Sequence, residues 1–180
     1  MKKLPLSQNE EALVDDEFFE QLNQFKWSYN NGYPHRSVRI DGKVKFIRLS
    51  KAIMAMAGVE TDGRRIDHKD RNTLNNQREN LRLATAVQNA ANRGLPENNT
   101  SGYKGVSFIK TNGKWLSQIY VSGYNYAIGQ FDDPVTAARA YDAVAVDWWG
   151  EFAWLNFPNE KAPVQPKLPG AYRNGCYVSP

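Results

Sequence analysis

The chain has one cysteine, Cys176, and two histidines, His35 and His68, in 180 residues. A lone cysteine excludes an internal disulfide and fits a reducing compartment. With so few Cys and His, a four-ligand structural zinc site within one chain is excluded as well. No apolar run approaches the ~20 residues that span a bilayer, so no membrane partner is expected. The start, Met1-Lys2-Lys3-Leu4-Pro5, lacks the apolar stretch of a signal peptide. The expected compartment is therefore the cytoplasm.

What the chain does have is an ordinary globular composition, 41% hydrophobic and 23% charged, and basic residues placed unevenly. Its length suits one domain or two small ones. The net charge of +4 conceals a contrast along the chain. Residues 1–30 carry three Lys against six acids, residues 31–100 carry thirteen Lys or Arg against seven acids, and residues 101–157 carry four against five. A basic middle of this kind is either a solvated face or a polyanion footprint, since phosphate contacts need Lys and Arg along one surface.

Val14 to Leu22 predicts a short helix capped by Asp15 or Asp16, with Phe18, Phe19 and Leu22 buried. From Phe25 the pattern turns to strand, with tight turns at Asn31-Gly32 and Asp41-Gly42. Ser50 is expected to cap a helix that runs to Ala57 and is closed by Gly58. This predicts a small antiparallel meander with a helix behind it. Arg64–His68 and Leu81–Ala84 read as a strand and its return. Thr85 with Gln88 makes a capping box for a helix from Ala86 to about Arg93. Residues 94–100 read as a linker. Beyond it, strands are expected at Tyr103–Ile109, Lys114–Val121 and Tyr124–Phe131. A small-residue helix follows, capped by Asp133 with Pro134 at its first position. The proline-rich residues 159–180 are expected to be a mobile tail.

The stretch from Asp67 to Asn89 concentrates candidate chemistry. Hydrolysis of a phosphodiester needs a base for water, a cation for the leaving oxygen and a held backbone. His68 suits the base near neutral pH. Asp67 offers a charged oxygen to a hard cation, and Asn89, near the start of its helix, offers a neutral one. Asn80 would fix the loop and orient His68. On residue types alone, the same residues also read as a turn with asparagine loop caps. His35 reads as a strand residue with no catalytic part.

The joint spacing of Asp67-His68, Asn75-Asn76, Asn80-Leu81-Arg82, Thr85 and Asn89 resembles the HNH nucleases, especially phage homing and intron-encoded members. The resemblance covers roughly residues 12–93 and includes a leader in Val14-Asp15-Asp16, Trp27, Asn31-Gly32-Tyr33 and Ser50 to Met54. It implies a ββα unit around one divalent ion, with Asp67 and Asn89 as metal ligands, His68 as general base and Asn80 as the third motif residue. Many relatives carry His where this chain has Ser50.

Residues 101–158 resemble the plant APETALA/ethylene-response DNA-binding domain. The matching runs are Ser101 to Val106, Gly113-Lys114-Trp115, Ile128 to Phe131, Ala137 to Asp142, Gly150 and Leu155 to Pro158. The resemblance implies a three-stranded sheet that enters the major groove, braced by a helix behind it. The family's DNA-reading positions fall on Lys104, Ser107, Ile109, Gln118, Tyr120, Asn125 and Ala127, of which only Lys104 keeps a positive charge. The fold transfers and the plant target sequence does not. Trp115 and the alanine-rich helix read as core. Phage homing nucleases of the HNH type carry this same domain.

Together these readings predict an α+β protein. Residues 1–60 form a β-rich leader with a β-meander, 61–93 a ββα-metal HNH unit, 94–100 a linker and 101–158 a three-stranded antiparallel sheet packed on one helix. The expected function is a homing-type endonuclease that hydrolyses double-stranded DNA with one Mg²⁺ or Mn²⁺ per active site. It would be monomeric, in the cytoplasm of a bacterial or phage-infected cell. Candidate DNA contacts are Arg36, Arg39, Lys43, Lys45, Arg64, Arg65, Arg82, Lys104, Ser107, Lys114, Gln118, Tyr120 and Asn125. The rival readings are a DNA-binding regulator with an idle nuclease centre, and an RNA-binding protein with exposed aromatics.

Overall fold

Two mirror-image turns shape the first sheet. Asn31 and Gly32 lie at φ 50° and 77°, and Asp41 and Gly42 at φ 50° and 73°. Successive positive φ angles define the tight turn that matches strand twist, and Asn-Gly and Asp-Gly pairs adopt it most readily. The computed structural model describes residues 1–121 and 123–160. It divides the chain into two units, Met1–Ala86 and Val87–Pro180. The expected tail lies, from residue 161 onward, outside the described residues.

In the first unit, β1 (Lys2–Pro5) and β2 (Glu11–Val14) form an antiparallel hairpin that the sequence reading did not anticipate. Leu4, Ala12 and Val14 are buried, so its inner face belongs to the core. Helix α1 (Asp16–Leu22) buries Phe18 and Leu22. Asp15 stands at its N-cap without bonding the helix through its side chain. Strands β3 (Ser28–Asn30), β4 (Tyr33–Ile40) and β5 (Lys43–Arg48) form an antiparallel sheet in chain order. Helix α2 (Leu49–Met56) follows directly. Ser50 is inside this helix and buried rather than capping it, because Leu49 is drawn into the core and starts the helix earlier. Leu4, Val14, Leu22, Trp27, Leu49, Ile53, Met54 and Leu81 share one apolar cluster. Strands β6 (Arg65–His68) and β7 (Leu81–Ala84) then pair antiparallel, and α3 (Ala86–Ala91) follows.

In the second unit, β8 (Val106–Ile109), β9 (Lys114–Val121) and β10 (Tyr124–Phe131) form an antiparallel sheet with β9 in the middle. Strand β8 starts three residues later than expected. Asn99, Ser101 and Tyr103 bond one another in a local turn, and Gly105 lies at φ +74°. Helix α4 (Pro134–Trp149) starts at Asp133, whose Oδ1 accepts from the Thr136 amide at 2.8 Å. Its buried Ala137, Ala138, Ala143 and Ala145 keep the backbone near the sheet, and Tyr141 fills the space between. Asp142, also buried on α4, accepts from the Asn156 amide at 2.9 Å and the Phe157 amide at 2.8 Å, which ties the returning chain to the helix. Burial pushes the Asp142 carboxyl above its ordinary range, and these amide bonds oppose that shift. The chain is thus a mixture of small antiparallel sheets and few helices. No described helix is long and apolar enough to cross a membrane.

Gly105 is a position where the second unit has no room for a side chain. A Cβ there would lie 2.0 Å from the Tyr141 ring and 2.7 Å from the Gln118 carbonyl oxygen. Gly105→Ala is expected to destabilise this unit by about 2–4 kcal/mol, combining the left-handed backbone with overpacking. Urea unfolding followed by tryptophan fluorescence measures it.

Candidate active site

Strand β6 ends in Asp67-His68 and β7 begins with Leu81-Arg82, with His68 opposite Leu81 and Asp67 opposite Arg82. The loop between them is closed by polar side chains. Oδ1 of Asp70 accepts from the Asn72 amide at 2.8 Å and from Asn80 Nδ2 at 2.9 Å, and its Oδ2 accepts from Asn75 Nδ2 at 2.7 Å. Asn80, buried, also donates to the Asn75 carbonyl at 2.7 Å and accepts from the Asp70 amide at 3.1 Å. Short amides and carboxylates suit such a loop because they bond the backbone locally.

The leader braces this loop. The Leu13 amide donates to Leu74 O at 2.8 Å, and the Asn76 amide donates to Leu13 O at 2.8 Å. Asp15 Oδ2 accepts from the Arg78 amide at 2.6 Å. The carboxylate expected to cap α1 therefore anchors a segment 63 residues further along.

His68 and Asn76 are both buried, with His68 Nε2 3.2 Å from Asn76 Oδ1. The amide's orientation follows from its other end. Asn76 Nδ2 lies 2.7 Å from Thr73 O, a carbonyl that can only accept. The oxygen of Asn76 therefore faces the imidazole, Nε2 carries the proton, and Nδ1 keeps the lone pair. Burial pushes the His68 pKa below its ordinary value, only partly offset by Asn76, Asp70 and Asp67. The sequence has Asn80 fixing the loop and orienting His68 through backbone hydrogen bonds; Asn80 bonds the loop backbone at Lys69, Asp70 and Asn75, and the side chain that meets the ring is Asn76. Asn76 lies within the quoted motif, but spacing alone does not distinguish the two amides.

Asp67 Oδ2 accepts from Arg82 Nε at 2.9 Å, with the side chains 8% and 10% exposed. Arg82, expected among the DNA contacts, is thus turned inward onto a buried carboxylate. Asn89 lies half-buried on α3, in the part of the chain that clusters with the second unit. Among the described residues, no three or more His, Cys, Asp or Glu form a metal-holding group.

The other expected DNA contacts are spread over both units. Arg39, Lys43 and Lys45 are exposed towards the tip of the β4–β5 hairpin, and Arg64 and Arg65 are exposed at the start of β6. Arg36 is half-buried, its guanidinium 3.8 Å from the centroid of Phe25. In the second unit, the register puts Ser107, Lys114, Gln118, Tyr120 and Asn125 on one face of the sheet, opposite the face that carries Ser117 and Ile119. Lys104 precedes β8 and points elsewhere: its Nζ donates to Ala91 O and Arg93 O at 2.5 and 2.7 Å.

A family model described as HNH endonuclease matches residues 51–91. An uncharacterised HNH endonuclease of Acanthamoeba polyphaga mimivirus is 32% identical over 147 residues, covering 81% of this chain and 74% of that protein. This chain belongs to the HNH endonuclease family and is a nuclease. Its C-terminal part is AP2-like. The AP2-like ethylene-responsive transcription factor TOE2 of Arabidopsis thaliana is 42% identical over 62 residues, covering 34% of this chain and 13% of that protein. Protein 3.8 of Escherichia phage T7 is 43% identical over 58 residues, or 32% of this chain and 48% of that protein. No solved structure matches the chain. HNH nucleases are generally dependent on a divalent metal, and nuclease and AP2-like domains together imply DNA binding.

Asn76→Ala removes the acceptor that sets the His68 tautomer. Its single-turnover cleavage rate is expected to fall about ten- to a hundredfold, with duplex affinity measured in EDTA unchanged.

Proposed function

We propose that the chain is a homing-type HNH endonuclease that hydrolyses phosphodiester bonds of duplex DNA. In this reading the C-terminal AP2-like unit targets the enzyme, which works as a monomer. The observation that carries the reading is the buried His68, held as the Nε2–H tautomer by Asn76 and set beside Asp67 in the HNH spacing. His68 Nδ1 takes a proton from water. The resulting hydroxide attacks phosphorus, the bond from phosphorus to the 3′ oxygen breaks, and that oxygen takes a proton from solvent water. The products are a 5′-phosphate and a 3′-hydroxyl. Asn80 keeps the loop closed while His68 acts, and Asp70 holds Asn80 in turn.

Asp67 and Asn89 are the residues that would hold one Mg²⁺ or Mn²⁺ in this reading. One carboxylate and one amide oxygen fit a hard cation that keeps several of its waters. When bound, the ion supplies positive charge for the phosphate and the departing 3′ oxygen. Arg82 offsets the negative charge of Asp67, so the carboxylate is tolerated at this burial. The exposed Arg39, Lys43, Lys45, Arg64 and Arg65 supply positive charge for duplex phosphates. Ser107, Gln118, Tyr120 and Asn125, together on one sheet face, offer hydrogen bonds to base edges or phosphates.

The test is cleavage of supercoiled plasmid and source-genome DNA with Mg²⁺ or Mn²⁺. His68→Ala is expected to lose about a hundredfold or more of the rate. EDTA should abolish cleavage by the wild type, and end-labelling should find 5′-phosphates. Full activity of His68→Ala would overturn the base assignment.

A further inference from the structure

The contacts of Lys104 are not those of a phosphate-binding lysine. Its ammonium donates to Ala91 O at 2.5 Å and to Arg93 O at 2.7 Å, two carbonyls at the C-terminal end of α3. The Trp154 amide donates to the same Ala91 carbonyl at 3.3 Å, and the Trp154 ring centroid lies 5.6 Å from the ammonium. Ala91 is buried, as is Asn92 after it. The last carbonyls of a helix lack partners within the helix, and a cation there is also favoured by the helix dipole.

The support beneath the ammonium is rigid. The Lys104 amide donates to Asn156 Oδ1 at 2.7 Å, and Asn156 Nδ2 donates back to Lys104 O at 3.2 Å. Asn156 is held in turn by the buried Asp142 of α4. A continuous path therefore runs from the core helix of the AP2-like unit through Asn156 and Lys104 to the end of α3. At six residues, α3 is far shorter than the ~12–15 that are marginal as isolated helices. Its position depends on what grips its ends.

We propose that Lys104 is a positioning residue of the nuclease: by gripping the carbonyls of Ala91 and Arg93 it holds α3, and with it Asn89. This inference rests on the reading of Asn89 as an ion ligand.

The experiment uses the full chain as wild type, Lys104→Met, Lys104→Arg and Asn89→Ala. Mn²⁺ affinity is read by the electron paramagnetic resonance of free Mn²⁺, cleavage by single turnover against Mg²⁺ concentration, and duplex affinity in EDTA by titration. Lys104→Met keeps the stem beside Trp154 but has no donors. It is expected to weaken Mn²⁺ binding and raise the Mg²⁺ needed for half-maximal cleavage by about ten- to a hundredfold, with duplex affinity unchanged. Lys104→Arg, which can still reach both carbonyls, should recover most of the loss. Unchanged Mn²⁺ affinity in Lys104→Met overturns the proposal, and lost duplex affinity alongside it would make Lys104 a phosphate contact. If Asn89→Ala leaves Mn²⁺ affinity intact, the ligand reading fails and the inference with it. If Asn89→Ala weakens it and Lys104→Met does not, only the inference fails. Should Lys104→Met lose its melting transition, Lys104→Gln, with a donor for one of the two carbonyls, makes the same comparison.

Discussion

The bond between His68 Nε2 and Asn76 Oδ1 is the constraint on which the first unit turns. An imidazole has two nitrogens, and a base must present the unprotonated one to water. Asn76 makes that choice only because its own amide is held. Thr73 O takes its Nδ2, Leu13 O takes its backbone N–H, and the Leu13 amide holds Leu74 nearby. The β1–β2 hairpin, remote from the motif in sequence, thereby braces the loop that carries Asn76 through one backbone pairing. Its inner face is core, with Leu4, Ala12 and Val14 all buried. The apolar packing of the leader and the tautomer of His68 are thus consequences of one arrangement.

Around that bond, three acids are each met by hydrogen-bond donors, Asp67 buried, Asp15 half-buried and Asp70 exposed. Asp67 is paired with Arg82 directly across the strands, Asp70 receives three N–H donors within its loop, and Asp15 receives the amide of Arg78. Backbone amides supply the bond to Asp15 and one of those to Asp70, whereas Asp67 and the rest of Asp70 are met by side-chain donors. An unpaired charge at the burial of Asp67 would be strongly unfavourable. Arg82 is therefore better understood through Asp67 than through DNA, despite its place in a basic stretch.

The second unit separates support from contact by face. Its core side is built of Val106, Ser117 and Ile119 against the alanines and Tyr141 of α4. The opposite face carries Ser107, Lys114, Gln118, Tyr120 and Asn125. Of these only Lys114 is cationic, and it is paired with Asp132 at 2.8 Å. Such a face offers hydrogen-bonding groups more than charge. The exposed cations cluster instead in the first unit, at the β4–β5 hairpin and the start of β6. Exposed positive charge and exposed hydrogen-bonding side chains thus lie in different parts of the chain.

The local elements were legible because their signals are short-range. Asn31-Gly32 and Asp41-Gly42 make turns by backbone preference, Asp133-Pro134 starts a helix by capping, and strict alternation assigns the faces of β9. The family was legible through the spacing of the Asp67-His68 pair and its asparagines. What the sequence could not determine was which partner each side chain would take across long separations. Asp15 looks like a cap for α1 and instead holds Arg78; Ser50 looks like a cap for α2 and is buried inside it. Asn76 and Asn80 are alike as residues and differ in what surrounds them, one on the imidazole and one on the loop. Lys104 counts as positive charge for DNA until its ammonium is seen on the carbonyls of α3. Turns and caps depend on neighbouring residues, whereas a polar side chain's partner depends on which donors and acceptors packing brings within 3 Å, and only the tertiary structure decides that.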